Sequence, residues 1–225
     1  MSFGDKKLSE IAVSVPGSTS LLREYDLDFC CGGSDTLANA AAEKGLNLLA
    51  EIETRLTELQ NSKAENPEEY WVNATYPEII DHILVRYHQR HREQLQELIV
   101  LADRVESVHG DREDCPMGVA AELRNVYEDL SNHMMKEEHV LFPMIKAGNY
   151  MMAQMPIRMM EMEHAEHGEH LEVLKSLTNN MTPPADACNT WLALYSGIQE
   201  FIDDLMMHIH RENNILFPRV IAENH

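Results

Sequence analysis

Apolar residues recur at the three- and four-residue spacing of an amphipathic helix from the start of the chain. Residues 8–15 follow this spacing and stop at Pro16-Gly17, and a later stripe holds Leu48, Ile52, Leu56 and Leu59. A stripe of this kind indicates a helix that buries one face. We predict helices over about residues 8–15, 18–25, 35–44 and 47–60, which together form a small helical domain over residues 1–60.

A polar stretch follows, and beyond it the helical spacing returns over longer segments. Residues 61–75 hold Pro67 and Trp71 and are predicted to be a linker. Thr75-Tyr76-Pro77 places a proline in the first turn of a helix that runs to about Gly110. Further helices are predicted over about residues 118–147 and 156–178, and a last one ends near Ala222. The predicted fold class is therefore all-α, with a four-helix bundle over residues 76–225.

The bundle region contains an internal repeat. Residues 133–143 read HMMKEEHVLFP and residues 208–218 read HIHRENNILFP, an offset of 75 residues. Upstream, residues 88–98 resemble residues 164–174 at an offset of 76. A two-helix unit is therefore duplicated, and two antiparallel hairpins would form a four-helix bundle. Each copy ends in Leu-Phe-Pro, and the proline predicts a kink or a break just after the repeated His and Glu.

The repeated positions carry metal-binding side chains. His133 and Glu137 are four residues apart, so they lie on one face of a helix, one turn apart. Four imidazoles and two carboxylates at the centre of a bundle suit two non-haem iron ions that share the carboxylates as bridges. The cofactor predicted is two Fe ions per chain, with an oxo or hydroxo bridge or open positions for a diatomic ligand. The predicted ligands are His88, His133, Glu137, His164, His208 and Glu212.

Periodicity leaves some alternatives open. His91 and His167 also match across the repeat, so they could replace His88 and His164 as ligands or support them from behind. Glu163 could orient a ligand or relay protons, or it could be a solvated surface residue. The Glu-x-x-His pattern of ferritin-type sites is missing, which disfavours a ferroxidase. Six ligands also suit two iron ions better than tetrahedral zinc.

The cysteines and methionines form smaller patterns. Cys30-Cys31 precedes Gly32-Gly33, so the pair is predicted to lie in a turn. It would consist either of exposed, reactive thiolates with a lowered pKa or of small buried apolar side chains. Cys115 and Cys188 are predicted to be structural. A methionine cluster over residues 151–162 is predicted to pack in the core.

Composition excludes several classes of function. The net charge of −20 would repel phosphate backbones, so nucleic-acid binding is disfavoured. No stretch is long and apolar enough to span a membrane, and residues 1–10 lack the apolar region of a signal peptide. Four sparse cysteines do not form a disulfide framework, which favours a reducing cytoplasm.

The two His-x-x-x-Glu-x-x-x-Leu-Phe-Pro copies resemble the haemerythrin-like family of di-iron bundles, and Asp28-Phe29-Cys30-Cys31-Gly32-Gly33 resembles the ScdA-type N-terminal domain. Together they resemble the RIC (Repair of Iron Centres) family over nearly the whole chain. The resemblance implies a cytoplasmic homodimer with two irons per chain. It also implies that the protein restores iron–sulfur clusters of damaged client proteins after nitrosative or oxidative stress, as an iron donor.

The same resemblance bears on individual residues and on alternatives. It places the family's metal ligands on the six residues given above, in preference to His91 and His167. It places the family's cysteine pair on Cys30 and Cys31, for which redox chemistry or iron transfer is expected. Two other functions remain open: a di-iron redox enzyme acting on nitric oxide or nitrite, and an oxygen-binding or sensing module.

Overall fold

The structure is a computed structural model that describes residues 2–45, 48–62 and 64–223. Its described residues form helices and turns without a β-strand, apart from one isolated bridge between Lys7 and Thr36. The all-α prediction is therefore confirmed. Among the helices of residues 2–45, 48–62 and 64–223, none is both long enough and apolar enough to cross a membrane.

The chain divides into two compact units. Ile80–Met206 forms the bundle unit, and Met1–Ile79 together with Met207–His225 forms the terminal unit. In the terminal unit a 3₁₀ turn, Phe3–Asp5, precedes five helices in the described residues up to Asn73: α1 Leu8–Ser14, α2 Ser18–Glu24, α3 Leu37–Glu43, α4 Leu49–Asn61 and α5 Pro67–Asn73. The first four match the four helices predicted for residues 1–60. Asn47, at the predicted start of the fourth, lies outside the described residues.

Helix α5 lies in the segment that the sequence predicted to be a linker. Asn66 caps it by accepting a hydrogen bond from the Glu68 backbone, and Pro67 occupies its first turn. Glu68 is buried and pairs with Arg211 of the same unit. The polar composition of this segment suggested that its side chains face solvent. The Glu68 carboxylate is buried instead, because it is paired with the Arg211 guanidinium. The domain boundaries themselves stay a prediction.

The remaining helices supply the bundle unit and the end of the chain. They are α6 Tyr76–His82, α7 Gln89–His109, α8 Val119–Lys136, α9 Phe142–Lys146, α10 Tyr150–Leu177, α11 Asn189–Arg211 and α12 Phe217–Ala222. The unit boundaries fall inside α6 and α11, so each of these helices contributes to both units.

The bundle unit is held together by pairwise packing of its four long helices. Helix α7 pairs with α8 through Arg124 and Asp103, whose N–O distance is 2.5 Å. Helix α10 packs on α8 through many close backbone contacts. Helix α11 approaches α7 so closely that a Cβ added at Gly197 would lie 2.7 Å from Cδ2 of Leu98. A glycine at this crossing lets the two backbones come together.

A π-helical turn precedes the proline in each copy of the repeat. Pro143 has no N–H to donate to the regular hydrogen-bond ladder. The chain widens into a π turn over Glu137–Leu141, where the Phe142 N–H bonds to the carbonyl of Glu137. Pro218 follows an equivalent turn over Glu212–Leu216. The sequence predicted a kink or a break, and the helix instead continues through a wider turn, a feature common at functional sites.

Two predictions for the third bundle helix were wrong. Helix α10 begins at Tyr150 and not near Pro156, because a proline within the first turns of a helix removes few hydrogen bonds. The methionine cluster is largely exposed: Met151, Met152, Met155, Met159 and Met162 face outward. The core face holds Ala153, Ile157 and Met160 instead. Both faces of this part of α10 are apolar, so periodicity could not choose between them.

Candidate metal centre

Four of the six predicted ligands lie together in the bundle unit. His88 ends the π turn Ile83–His88, His133 lies in the last turn of α8, Glu137 opens the next π turn, and His164 lies on α10. All four are buried. Oε2 of Glu137 lies 3.3 Å from Nε2 of His88 and 3.4 Å from Nε2 of His133. The Nε2 atoms of His133 and His164 are 3.1 Å apart.

The other two predicted ligands lie in the terminal unit and repeat the same local geometry. His208 is in the last turn of α11, and Glu212 opens the following π turn. Oε1 of Glu212 lies 3.4 Å from Nε2 of His208, the same separation as between His133 and Glu137. Both side chains are buried. Both copies of the sequence repeat therefore have the same local structure: a long helix with the His in its last turn, followed by a π turn that the Glu opens.

These separations suit ligands of a common ion. An ion that binds two imidazole nitrogens at right angles, at ~2.1 Å each, holds those nitrogens ~3 Å apart. The 3.1 Å between the Nε2 atoms of His133 and His164 fits this arrangement. A fully buried carboxylate such as Glu137 is costly unless it is paired or binds a cation. The donor set of imidazole and carboxylate therefore fits iron.

A carboxylate orients the imidazole of His88. Nδ1 of His88 lies 2.8 Å from Oε1 of Glu138, which also accepts a hydrogen bond of 2.7 Å from Arg92. The bond from His88 and the nearby Arg92 hold the pKa of Glu138 at about 2, although partial burial acts in the opposite direction. An ionised carboxylate only accepts hydrogen bonds, so Nδ1 carries the proton. The lone pair of His88 is thereby placed on Nε2, which faces Glu137.

Glu163 performs the same task for His133. Its Oε2 lies 2.9 Å from Nδ1 of His133, and its Oε1 accepts a hydrogen bond of 2.5 Å from Lys136. The bond from His133 and the neighbouring Lys136 hold the pKa of Glu163 at about 2 against the effect of partial burial. Of the three possibilities that the sequence left open for Glu163, ligand orientation is the one the geometry supports.

His91 and His167 are both buried. Nδ1 of His91 lies 3.3 Å from Oε1 of Gln94, and its ring contacts Phe201 edge-on. The ring of His167 packs edge-on against His133, with centroids 4.8 Å apart. Within the described part of the chain, neither residue belongs to a group of side chains placed to hold a metal. Burial of both side chains is what the two repeat positions share.

The terminal unit surrounds the His208–Glu212 segment with buried polar contacts. His210 and Arg211 both contact Glu68 of α5, and Arg211 also stacks over the Trp71 ring. Burial and the neighbouring Arg211 lower the pKa of His210, although hydrogen bonding to Glu68 acts in the opposite direction. Asn214 bonds to Nδ1 of His210 and to the Phe29 carbonyl at 2.8 Å each. The segment between the two ligands is thus fixed by polar contacts on α5 and on the Cys30-Cys31 turn.

The predicted cysteine turn also lies in the terminal unit. Cys30 is buried and Cys31 is half-buried, and their sulfurs are 3.8 Å apart without a disulfide. A hydrogen bond with Cys31, burial and the negative charge of Asp28 raise the pKa of the Cys30 thiol well above its ordinary value. Of the two alternatives that the sequence left open, the buried one describes Cys30, and an exposed thiolate with a lowered pKa does not. The turn ends well before α3, so no helix N-terminus stabilises the thiolate.

The pKa of the Cys188 thiol is lowered. Cys188 directly precedes α11, where the N–H groups of Trp191 and Thr190 lower its pKa together with Nε2 of His109, 3.3 Å from the sulfur. Cys115 is buried, and desolvation raises its pKa, in accord with the structural role that the sequence predicted. Cys188 was also predicted to be structural. That role does not explain the hydrogen bond with His109 or the lowered pKa of the thiol.

Comparison with known families agrees with this geometry. Residues 79–220 match the haemerythrin HHE cation-binding domain, and residues 4–60 match the ScdA_N domain, which is described as a domain of unknown function. A protein of Haemophilus influenzae named probable iron–sulfur cluster repair protein is 68% identical over 223 residues, which cover 99% of this chain and all of the relative. The chain belongs to the RIC family of iron–sulfur cluster repair proteins.

Other family members match over similar lengths. The iron–sulfur cluster repair protein YtfE of Escherichia coli O81 is 55% identical over 99% of both chains. The protein of the same name from Musicola paradisiaca is 54% identical over 98% of both chains. The haemerythrin match implies iron binding for this RIC member, and the His and Glu groups of the structure could bind the metal.

Sequence reasoning missed some residues of this RIC protein that support the ligands. Glu138 was overlooked because the repeat places Asn213 at the equivalent position, so no match drew attention to it. Its position beside Glu137 and one turn from the end of α8 was the available signal. Glu68 and Asn214 were overlooked because their roles depend on contacts between segments far apart in the sequence.

Proposed function

We propose that this protein binds two iron ions through its repeated His and Glu residues and donates iron to repair iron–sulfur clusters damaged by nitrosative or oxidative stress. The observation that carries the proposal is the duplicated pair of buried His and Glu, with the same 3.4 Å separation and the same π turn in both copies. The names of the relatives, which describe cluster repair over the full length of the chain, support the second part.

In this proposal His88, His133, Glu137 and His164 of the bundle unit would hold iron, as would the repeated pair His208 and Glu212 of the terminal unit. The Nε2 atoms of His133 and His164 already converge as ligands of one ion would. Imidazole nitrogens and carboxylate oxygens are both suitable donors to iron. When bound, the iron pair supplies ferrous iron for a cluster that has lost it.

The protein's own residues prepare this centre. Glu138 and Glu163 keep the protons of His88 and His133 on Nδ1, so that both Nε2 atoms remain available to a cation. Both supporting carboxylates are partly exposed and paired with Arg92 and Lys136, which reach solvent. The ligands themselves are buried, which excludes competing water from the imidazoles.

An iron-transfer assay tests the proposal. Protein loaded with ⁵⁷Fe is mixed, without oxygen, with a client whose iron–sulfur cluster has lost iron, in the presence of a chelator that captures free iron. We expect the label to appear in the rebuilt cluster by Mössbauer spectroscopy. Glu137→Gln should fail to transfer, whereas Glu161→Gln, an exposed position on α10, should transfer normally.

Three results would contradict this function. Equal cluster recovery with iron-free protein would show that the chain is not the donor. Steady consumption of nitric oxide under a reductant, with no transfer of label, would assign the chain to the di-iron redox enzymes instead. Reversible oxygen binding without transfer would assign it to the oxygen-binding modules.

We also propose that the protein works as a homodimer on client proteins, which rests on the family resemblance alone. Light scattering measures the mass of the particle in solution. A mass near twice 25.8 kDa is expected, and a mass near 25.8 kDa at all working concentrations would contradict the dimer.

A further inference from the structure

The turn that carries the cysteine pair places three potential metal ligands close together in the terminal unit. The Cys30 thiol lies 3.1 Å from Oδ1 of Asp28 and 3.8 Å from the sulfur of Cys31. One ligand atom from each residue lies within 4.8 Å of the other two. None of the three belongs to the His and Glu set described above, so the cluster is a separate feature of the chain.

These distances correspond to the edges of a tetrahedral site. Two thiolates bound to one ion at ~2.3 Å, at the tetrahedral angle, have sulfurs ~3.8 Å apart. A carboxylate oxygen bound at ~2.0 Å lies ~3.5 Å from each of those sulfurs. The observed 3.8 Å between sulfurs therefore needs no rearrangement, and the 3.1 Å between Cys30 and Asp28 needs a shift of a few tenths of an ångström.

The backbone holds these ligands in place. Asp28 accepts hydrogen bonds from the N–H groups of Cys30, Cys31 and Gly32 at 2.9–3.0 Å, which fixes the carboxylate against the turn. A Cβ at Gly33 would lie 2.6 Å from the Phe29 carbonyl oxygen, so only glycine allows the chain to fold back this tightly.

Side chains from the other end of the sequence hold the same turn. The Asn213 side chain donates to the Cys30 carbonyl at 3.0 Å, and Asn214 donates to the Phe29 carbonyl at 2.8 Å. Such fixed geometry exceeds what packing of two small apolar side chains requires.

We propose that Asp28, Cys30 and Cys31 form a second metal site, which binds one borderline or soft divalent cation such as Fe²⁺ or Zn²⁺. Thiolate ligands select these metals over Mg²⁺ and Ca²⁺, which prefer oxygen ligands. Binding releases the thiol protons to solvent, because the thiolate is the form that coordinates. Three protein ligands leave one tetrahedral position for water or for an incoming ligand. The proposal does not depend on whether the protein repairs clusters.

Cobalt titration of the full-length protein tests the site, because Co²⁺ bound by thiolate shows a charge-transfer absorption that imidazole and carboxylate ligands do not give. We expect this absorption to saturate at one Co²⁺ per chain. Cys30→Ser/Cys31→Ser should abolish it. The matched control Cys115→Ser/Cys188→Ser should keep it, as should Glu137→Gln, which alters only the His and Glu set. Asp28→Asn should keep the absorption but weaken the affinity.

A second readout covers the case in which the double variant does not fold. In the wild-type protein, Zn²⁺ should protect Cys31 from alkylation while Cys188 is modified at its usual rate, as measured by peptide mass spectrometry. The proposal is overturned if wild-type protein shows no thiolate absorption with Co²⁺, if the absorption persists in Cys30→Ser/Cys31→Ser, or if Zn²⁺ leaves the labelling of Cys31 unchanged.

Discussion

At the scale of single residues, the candidate metal centre includes side chains that orient the predicted ligands without being ligands themselves. Glu138 and Glu163 each hold the Nδ1–H of one imidazole and are in turn held by Arg92 and Lys136. The direction of each imidazole lone pair is thus decided by a carboxylate on the helix surface. Residues that hydrogen-bond to a metal ligand fix its orientation, and replacing them typically lowers metal affinity.

Replacing Glu163 measures this contribution. We expect Glu163→Gln to lower iron affinity by roughly 10–100-fold, because the neutral amide holds the His133 proton less firmly. Competition against a chelator of known affinity, followed by the iron absorption, gives the change. Glu161→Gln, two residues away on the exposed face of α10, is the control. Equal affinities for the two variants would show that Glu163 is only a surface residue.

The cysteines also differ at the residue scale. The pKa of Cys188 is lowered by the Trp191 N–H and by His109, so its thiolate forms at a lower pH than usual. The pKa of Cys30 is raised by Cys31 and by burial, so its thiolate forms only at a higher pH. Cys188 should therefore be alkylated before Cys30 and Cys115 as the pH increases. Peptide mass spectrometry after timed labelling checks the order, and labelling of Cys30 first would contradict it.

At the scale of elements, helix α5 shows where sequence reasoning reached its limit. Its polar composition predicted a linker, yet Glu68 is buried against Arg211, which comes 143 residues later in the chain. Periodicity did predict α1 and α4, because each buries one clear apolar stripe. It failed for the outward methionines of α10, where both faces are apolar and only tertiary contacts decide.

The buried pair on α5 can be tested by mutation. Glu68→Ala should lower the free energy of unfolding by about 3–5 kcal/mol, because it leaves the Arg211 charge buried without its partner. Glu69→Ala, the exposed neighbour in the same helix, should change it by less than about 0.5 kcal/mol. Chemical denaturation of both variants measures the difference, and similar stabilities would show that the pair contributes little.

The same pair predicts a dependence on pH. Burial alone would raise the pKa of Glu68, but hydrogen bonds from His210 and Arg211 outweigh it and lower the pKa below its ordinary 4.5. A lowered folded-state pKa means that the stabilisation is present above the unfolded-state pKa and is lost as the pH falls through the folded-state value. The stability difference between wild type and Glu68→Ala should therefore shrink in acid below pH 4.5. A difference that stays constant down to pH 2 would contradict this linkage.

At the scale of the whole molecule, the repeat is the feature that sequence reasoning used best. It predicted the all-α bundle, and it picked out His88, His133, Glu137 and His164, which the structure brings together in one unit. It could not predict the contacts of the N-terminal turn with Asn213 and Asn214, because hydrogen bonds between distant segments leave no periodic trace. The role of Glu68 was missed for the same reason, whereas Glu138 was missed because the repeat has Asn213 at the equivalent position.

The central claim is that the six repeated His and Glu residues bind two iron ions in each chain. The most direct test is metal analysis combined with Mössbauer spectroscopy of protein isolated from cells grown on ⁵⁷Fe. We expect about two irons per chain in a non-haem environment of nitrogen and oxygen ligands, and a clear loss of iron in Glu137→Gln and Glu212→Gln. Stoichiometric zinc, or full iron occupancy in both variants, would contradict the claim.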